Sequence, residues 1–356
     1  MRHSPKPLKE QTIVITGGSS GIGLATARMA AGRGANVIIL SRDAEGCRRI
    51  CDEIRAEGGR CDYVTADMGV REQVREAVDT IVERHGGFDT WFNCAGVGVY
   101  AKLEEISDED HERVFQTNYW GVVYGSLEAL KHMKAKGGTL INQGSIASDM
   151  PVPVLGAYAA TKHAVKGFTD SLRQELIEEG APVHVTLIKP AGIHTPFGDH
   201  SKNYMDAASV VPPPVYAPEI VAEAVLRAAE DPIRDVIVGG SGRMMTWMQR
   251  YIPNVADRVF SRAFPVLAKD ASMPPRDMEG GLHKAGGSGD MYGDQDSFMR
   301  KSSLYTSWRT HPVKTVATVA AVGAGAAAVT SWLLRPAPQG DQEPTGRPEN
   351  RPSTVV

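Results

Sequence analysis

From residue 12 to residue 238 the chain repeats one pattern: a short apolar run, a break of glycine or polar residues, then a stretch with helical character. The apolar runs fall at 12–15, 35–41, 61–65, 90–93, 139–142, 184–188 and 235–238. Helices are predicted between them, over about 24–30, 43–57, 70–85, 108–136, 157–179 and 218–230. Strands separated by helical crossovers run parallel, and right-handed crossovers place helices on both faces of the sheet. The predicted fold class is therefore α/β, a doubly wound parallel sheet of about seven strands ending near Gly240.

The first run leads into Thr16-Gly17-Gly18-Ser19-Ser20-Gly21-Ile22-Gly23, and a helix follows at once. Strand, glycine turn and helix together present backbone N–H groups and a positive dipole end to a phosphate. Gly17, Gly21 and Gly23 allow a sharp turn and close approach to a pyrophosphate. Their spacing is not the usual Gly-x-Gly-x-x-Gly, so the loop alone is equally compatible with a tight turn. Further along, Tyr158 and Lys162 fall one turn apart on a predicted helix, on one face. An ammonium beside a phenol is expected to lower the phenol's pKa toward the working range. Ser145, just past a predicted strand, is placed to hold a substrate oxygen. Taken singly these are a surface pair and a loop serine; with a phosphate loop they make a candidate site.

These motifs, in this order, resemble the short-chain dehydrogenase/reductase family over about residues 10–240. The matching residues are the loop Thr16 to Gly23, Asn93-Cys94-Ala95-Gly96, Asn118, Ser145, Tyr158 with Lys162, and Pro190-Ala191-Gly192-Ile193-His194-Thr195. The resemblance implies a Rossmann fold, a nicotinamide cofactor and a catalytic tetrad of Asn118, Ser145, Tyr158 and Lys162. Tyr158 would be the general acid or base, Lys162 would hold the nicotinamide ribose, and Ser145 would position the carbonyl oxygen. Asn118 would anchor a water through an irregularity of its helix. Cofactor contacts are implied for Gly17, Ser19, Ser20, Gly21, Ile22 and Gly23, and for Arg42, Asp67 and Met68. Asn93, Ala95, Gly96, Tyr158, Lys162, Pro190, Ile193 and Thr195 complete the set. Two positions depart from the family pattern: Cys94 replaces an Asn, and Pro190-Ala191 replaces Pro-Gly, so Ala191 must avoid positive φ or accept strain.

Charge argues for NADP(H) over NAD(H). Ser41 stands where an NAD-dependent relative would place a carboxylate, and Arg42 follows it, ready for a 2′-phosphate. Asp43 is read as a helix cap. The activity implied is hydride transfer between a carbonyl and an alcohol on a small molecule, and the partly apolar lid of Phe197, Tyr204, Met205, Pro212 to Pro214 and Tyr216 suits a hydrophobic carbonyl. The alternative is a catalytically silent nucleotide-binding sensor or scaffold. An epimerase or dehydratase would need a larger C-terminal substrate domain.

With 39 basic and 42 acidic residues and no basic stripe, nucleic acid is not an expected partner. Cys47 and Cys51 lie one turn apart, yet no second pair sits at ligand spacing, so no metal is expected and the four cysteines are read as reduced cytoplasmic thiols. Beyond the catalytic domain (1–240), residues 241–265 form an amphipathic extension, read as packed on the domain rather than on a membrane surface. Residues 266–312 read as a flexible linker. Residues 313–334 are long enough to span a bilayer, with basic residues before them keeping the large domain cytoplasmic, and 335–356 read as a disordered tail. A homo-oligomer is expected.

Overall fold

The structure is a computed structural model and describes residues 4–275, 280–285, 287, 289–311 and 315. The predicted membrane-spanning stretch 313–334, apart from Thr315, and the tail 335–356 lie outside the described residues. No helix among the described residues is long and apolar enough to cross a membrane.

The alternation produces β1 (Thr12–Thr16), α1 (Gly21–Gly32), β2 (Asn36–Ser41), α2 (Ala44–Ala56), β3 (Arg60–Thr65) and α3 (Arg71–His85). It continues with β4 (Thr90–Asn93), α4 (Asp108–Phe115), α5 (Gly121–Lys136), β5 (Gly138–Gln143), α6 (Gly156–Glu178), β6 (Val183–Pro190), α7 (Pro218–Glu230) and β7 (Asp235–Val238). The seven strands pair in parallel in the order β7-β6-β5-β4-β1-β2-β3. The strands read as continuous apolar runs because both faces are covered. Ile13 and Ile15 join Leu24, Ile50 and Val221 on one side, and Val14 joins Ile38, Val74 and Trp91 on the other. Each such fully buried aliphatic side chain contributes about 1.5–3 kcal/mol. Strand order reverses between β1 and β4, which opens a crevice at their C-terminal ends.

Local chemistry sets the helix ends. The Asp43 side chain caps α2, accepting from the Gly46 N–H at 3.0 Å, and Gly86 ends α3 in the left-handed region at φ 72°. The predicted helix over 108–136 is divided by a π-helical turn, Gln116–Trp120, between α4 and α5.

Three expectations are corrected. First, the compact unit does not end near Gly240 but runs to His311. The amphipathic stretch becomes two helices, α8 (Gly240–Tyr251) and α9 (Pro253–Leu267), broken where Pro253 follows Ile252. Second, the described part of 266–312 is folded rather than a free linker. Leu282 is fully buried, Met299–Arg300 pairs with Val215–Tyr216, and α10 (Leu304–Thr310) buries Thr306, whose hydroxyl accepts from the Gly239 N–H at 3.0 Å. Third, Cys51 and Cys61 form a disulfide across the α2–β3 corner, their Cα atoms 5.1 Å apart. The loop back from α2 brings the two positions together; Cys47 and Cys94 are free and buried.

Candidate active site

The crevice holds a cavity of about 490 Å³. Its floor exists because two glycines bring backbone segments together. A Cβ on Gly17, whose φ is +66°, would lie 2.7 Å from the Ala95 Cα, and one on Gly23 would lie 2.1 Å from the Gly17 carbonyl oxygen. The loop therefore packs against both α1 and the turn after β4. Every implied cofactor contact lines this cavity except Asn93. Asn93 is a strut instead: its amide donates to Ser126 Oγ at 3.0 Å and Asn142 Oδ1 at 2.8 Å, and accepts from Trp91 Nε1 at 2.8 Å. Sheet pairing pulls it under the floor. Ala191 takes no positive φ; among the described residues Val154 alone does so without being glycine.

Three of the four tetrad candidates meet on the cavity wall. Ser145 lies two residues past β5, and its Oγ accepts from the Ala147 N–H at 3.1 Å, which orients the turn. Tyr158 shares the cavity wall with it. Lys162, one turn along α6, lies with Nζ 5.4 Å from the Tyr158 ring centroid and donates to the Gln143 carbonyl at 2.9 Å. Asn118, in the π-helical turn, does not reach the cavity. Its Oδ1 accepts from the Val97 N–H at 2.8 Å and its Nδ2 donates to the Val97 carbonyl at 2.9 Å, clamping the segment that carries Gly96.

The electrostatics reverse one expectation. Burial pushes the Tyr158 phenol up to about 12, although the nearby Ser145 hydroxyl opposes the shift. Burial likewise pushes Lys162 down to about 8. Desolvation is the largest cause of both shifts. The lysine value has a consequence for stability. Between pH of about 8 and 10.5 the unfolded chain holds a proton on this lysine that the folded chain has lost, so stability rises with pH across that window. Below about 8 both states are protonated and the penalty of burying the charge is constant. Denaturant unfolding should therefore show the wild type gaining on Lys162→Met by on the order of 3 kcal/mol across the window. A stability difference that ignores pH there would contradict the buried, destabilised charge.

Sequence reading missed the residues that roof the cavity. Gly281, Ala285 and Gly287 line it from a distant part of the chain. The Gly21 N–H donates to the Asp290 carbonyl and the Gly289 N–H to the Ser19 carbonyl, each at 2.9 Å. Arg42 donates to the carbonyls of Gly281 at 2.5 Å and Leu282 at 3.2 Å. Arg113 donates to the Leu282 carbonyl at 3.1 Å and pairs with Asp67 at 2.6 Å. Both guanidinium groups thus reach the Leu282 carbonyl, and Arg113 pairs with Asp67. The only sequence signal for the roof is Leu282, one aliphatic residue in a Gly- and Asp-rich stretch, seated among Val97, Val99, Ala101 and Val114.

At the other end Phe197, Pro212 to Pro214, and Phe260, Phe264 and Leu267 of α9 line the wall. Phe197 meets the Tyr158 ring edge-on at 5.2 Å between centroids. Tyr204, Met205 and Tyr216, expected in the lid, do not line the cavity. Tyr204 bonds through its hydroxyl to buried Asp110, and Tyr216 is buried beneath Gly239.

Comparison with known proteins agrees with this architecture. The short chain dehydrogenase family profile matches residues 11–205. The chain is 40% identical to the uncharacterized oxidoreductase YxnA of Bacillus subtilis (strain 168) over 328 residues, 91% of this chain and 92% of that protein. It is 34% identical to 3beta-hydroxysteroid dehydrogenase 1 of Eggerthella lenta over 232 residues, 63% of this chain and 88% of that one. Among solved structures, an alcohol dehydrogenase from the archaeon Thermococcus sibiricus complexed with 5-hydroxy-NADP superposes with a TM-score of 0.57 at 27% identity, covering 64% of this chain and 95% of that one. With the profile spanning more than half its residues and YxnA aligned almost end to end, the chain belongs to the short-chain dehydrogenase/reductase family of oxidoreductases.

Proposed function

We propose that this chain is an NADP(H)-dependent oxidoreductase interconverting a carbonyl and an alcohol, with Tyr158 as general acid in reduction and general base in oxidation. One observation carries the reading: Ser145, Tyr158 and Lys162 come together on the wall of the cavity that the glycine loop floors, with Lys162 Nζ 5.4 Å from the Tyr158 ring centroid. A nicotinamide dinucleotide bound there supplies or accepts the hydride. The residues present fit such a group, since the close packing at Gly17 and Gly23 folds the loop tightly at the N-terminus of α1, where it lines the cavity.

The protein's own groups then divide the work. Ser145 holds the carbonyl oxygen. Tyr158, held near 12, keeps its proton at neutral pH and can give it to that oxygen. Lys162 uses one of its three donors on Gln143 and has others for ribose hydroxyls. Asn118 is a positioning residue, acting through the Val97 backbone.

For the cofactor's phosphate, Arg42 supports NADP(H). Its hydrogen-bond acceptors in the roof are neutral carbonyls, while Asp67 is engaged by Arg113. A guanidinium–phosphate contact contributes about 1.5–3 kcal/mol. Arg42→Ala should therefore raise KM for NADPH about 10- to 100-fold and hardly change that for NADH. Equal effects on both would contradict the assignment.

The phenyl rings at the substrate end favour an apolar carbonyl, and similarity to a hydroxysteroid dehydrogenase points the same way. The test is NADPH oxidation across a panel of ketones and aldehydes. Turnover is expected, fastest for apolar members. Binding of NADPH without turnover on any member would overturn the reading in favour of a sensor or scaffold.

A further inference from the structure

Helices α8 and α9 have two apolar sides, and the domain covers one of them. Inward, Ala256, Phe260 and Phe264 are buried with Tyr100, Ile146 and Met150. Outward, Met244, Trp247 and Tyr251 recur at helical spacing on α8, and Val255, Val259 and Val266 do so on α9. All six are exposed, Met244 at 66% and Val266 at 67%. The two helices pack on each other, and each carries its stripe exposed. Scattered apolar residues on a surface are ordinary, but a continuous patch marks a partner.

Charge identifies the partner's chemistry. Residues 240–267 carry Arg243, Arg250, Arg258 and Arg262 against Asp257 alone, in a chain whose net charge is −3. All four arginines are exposed. A second copy seated symmetrically on this face would bring arginines against arginines. An anionic lipid surface complements them, and Trp and Tyr suit the boundary between headgroup and acyl chain. The surface also leads into the cavity. Val259 and Leu267 are exposed at 45% and 42%, yet both line the cavity beside Phe260 and Phe264.

We propose that the outer face of α8 and α9 lies flat on an anionic lipid bilayer, so that the cavity mouth beside Val259 and Leu267 receives a membrane-dissolved substrate. The docking stands on the surface itself; only the substrate clause rests on the proposed oxidoreductase function.

The test is flotation of the full chain with phosphatidylcholine vesicles, with and without phosphatidylglycerol. The wild type should bind the anionic vesicles at least tenfold better than the neutral ones. Trp247→Glu/Val255→Glu and Arg250→Glu/Arg258→Glu should each reduce that binding at least tenfold, with NADPH affinity and Tm unchanged because the sites are exposed. Absence of binding by the wild type overturns the proposal. So does binding that the variants leave intact, which would assign it to another segment. Sedimentation showing a dimer abolished by the same substitutions, without vesicle binding, would give the face to a second copy and also overturn it. Docking with no turnover of any carbonyl would leave this surface standing and remove the oxidoreductase reading alone.

Discussion

Tyr158→Phe should lower NADPH-dependent carbonyl reduction by about 10²–10⁴-fold while leaving NADPH affinity within about twofold. The substitution removes one oxygen from a half-buried ring packed against Phe197 and keeps the ring itself. The lost group is the phenol hydroxyl on the cavity wall shared with Ser145, so the proton needed by the developing alkoxide has no donor of comparable position. The glycine loop, Arg42 and the roof are untouched, and stopped turnover with retained binding is the signature of a missing acid. The same variant relieves no buried charge, so its Tm should change little. Full activity in Tyr158→Phe would assign the proton to another group.

Gly23→Val should weaken dinucleotide binding by at least about a hundredfold, the second large effect expected. Its Cβ would fall 2.1 Å from the Gly17 carbonyl oxygen and 2.9 Å from the Gly18 Cα. Backbone, not a flexible side chain, blocks the space, so the loop must move away from α1. That movement opens the β1–α1 turn on which the phosphate contacts depend. Gly32→Ala provides the control, since a Cβ there meets nothing within 4 Å at the other end of the same helix. It should leave binding unchanged and raise stability by about 0.5–1 kcal/mol. Equal binding by wild type and Gly23→Val, measured by isothermal titration with NADPH, would contradict the placement of the site.

Much of this was legible because the relevant signals are local. Parallel strands buried on both faces have to be apolar throughout, so 12–15 and 90–93 announce themselves. The glycine loop is contiguous, and Tyr158 and Lys162 share one helical face. What stayed hidden depends on distance and burial. Arg113 reaches Asp67 from 46 residues away, and nothing in its own neighbourhood marks it. The roof is read from backbone carbonyls of Gly281 and Leu282, which carry no side-chain signature. Asn93 shares a motif with Ala95 and Gly96, but strand alternation turns it into the sheet's amide network. The direction of the Tyr158 shift follows from how dry the wall is, which spacing to Lys162 does not reveal.

The most direct test of hydride transfer coupled to a tyrosine proton is isotopic. NADPH deuterated at its transferable position should yield an alcohol with one deuterium on the carbinol carbon, formed by the wild type and lost with Tyr158→Phe. An alcohol bearing only protium at that carbon, or label transfer undiminished in the phenylalanine variant, would contradict the account.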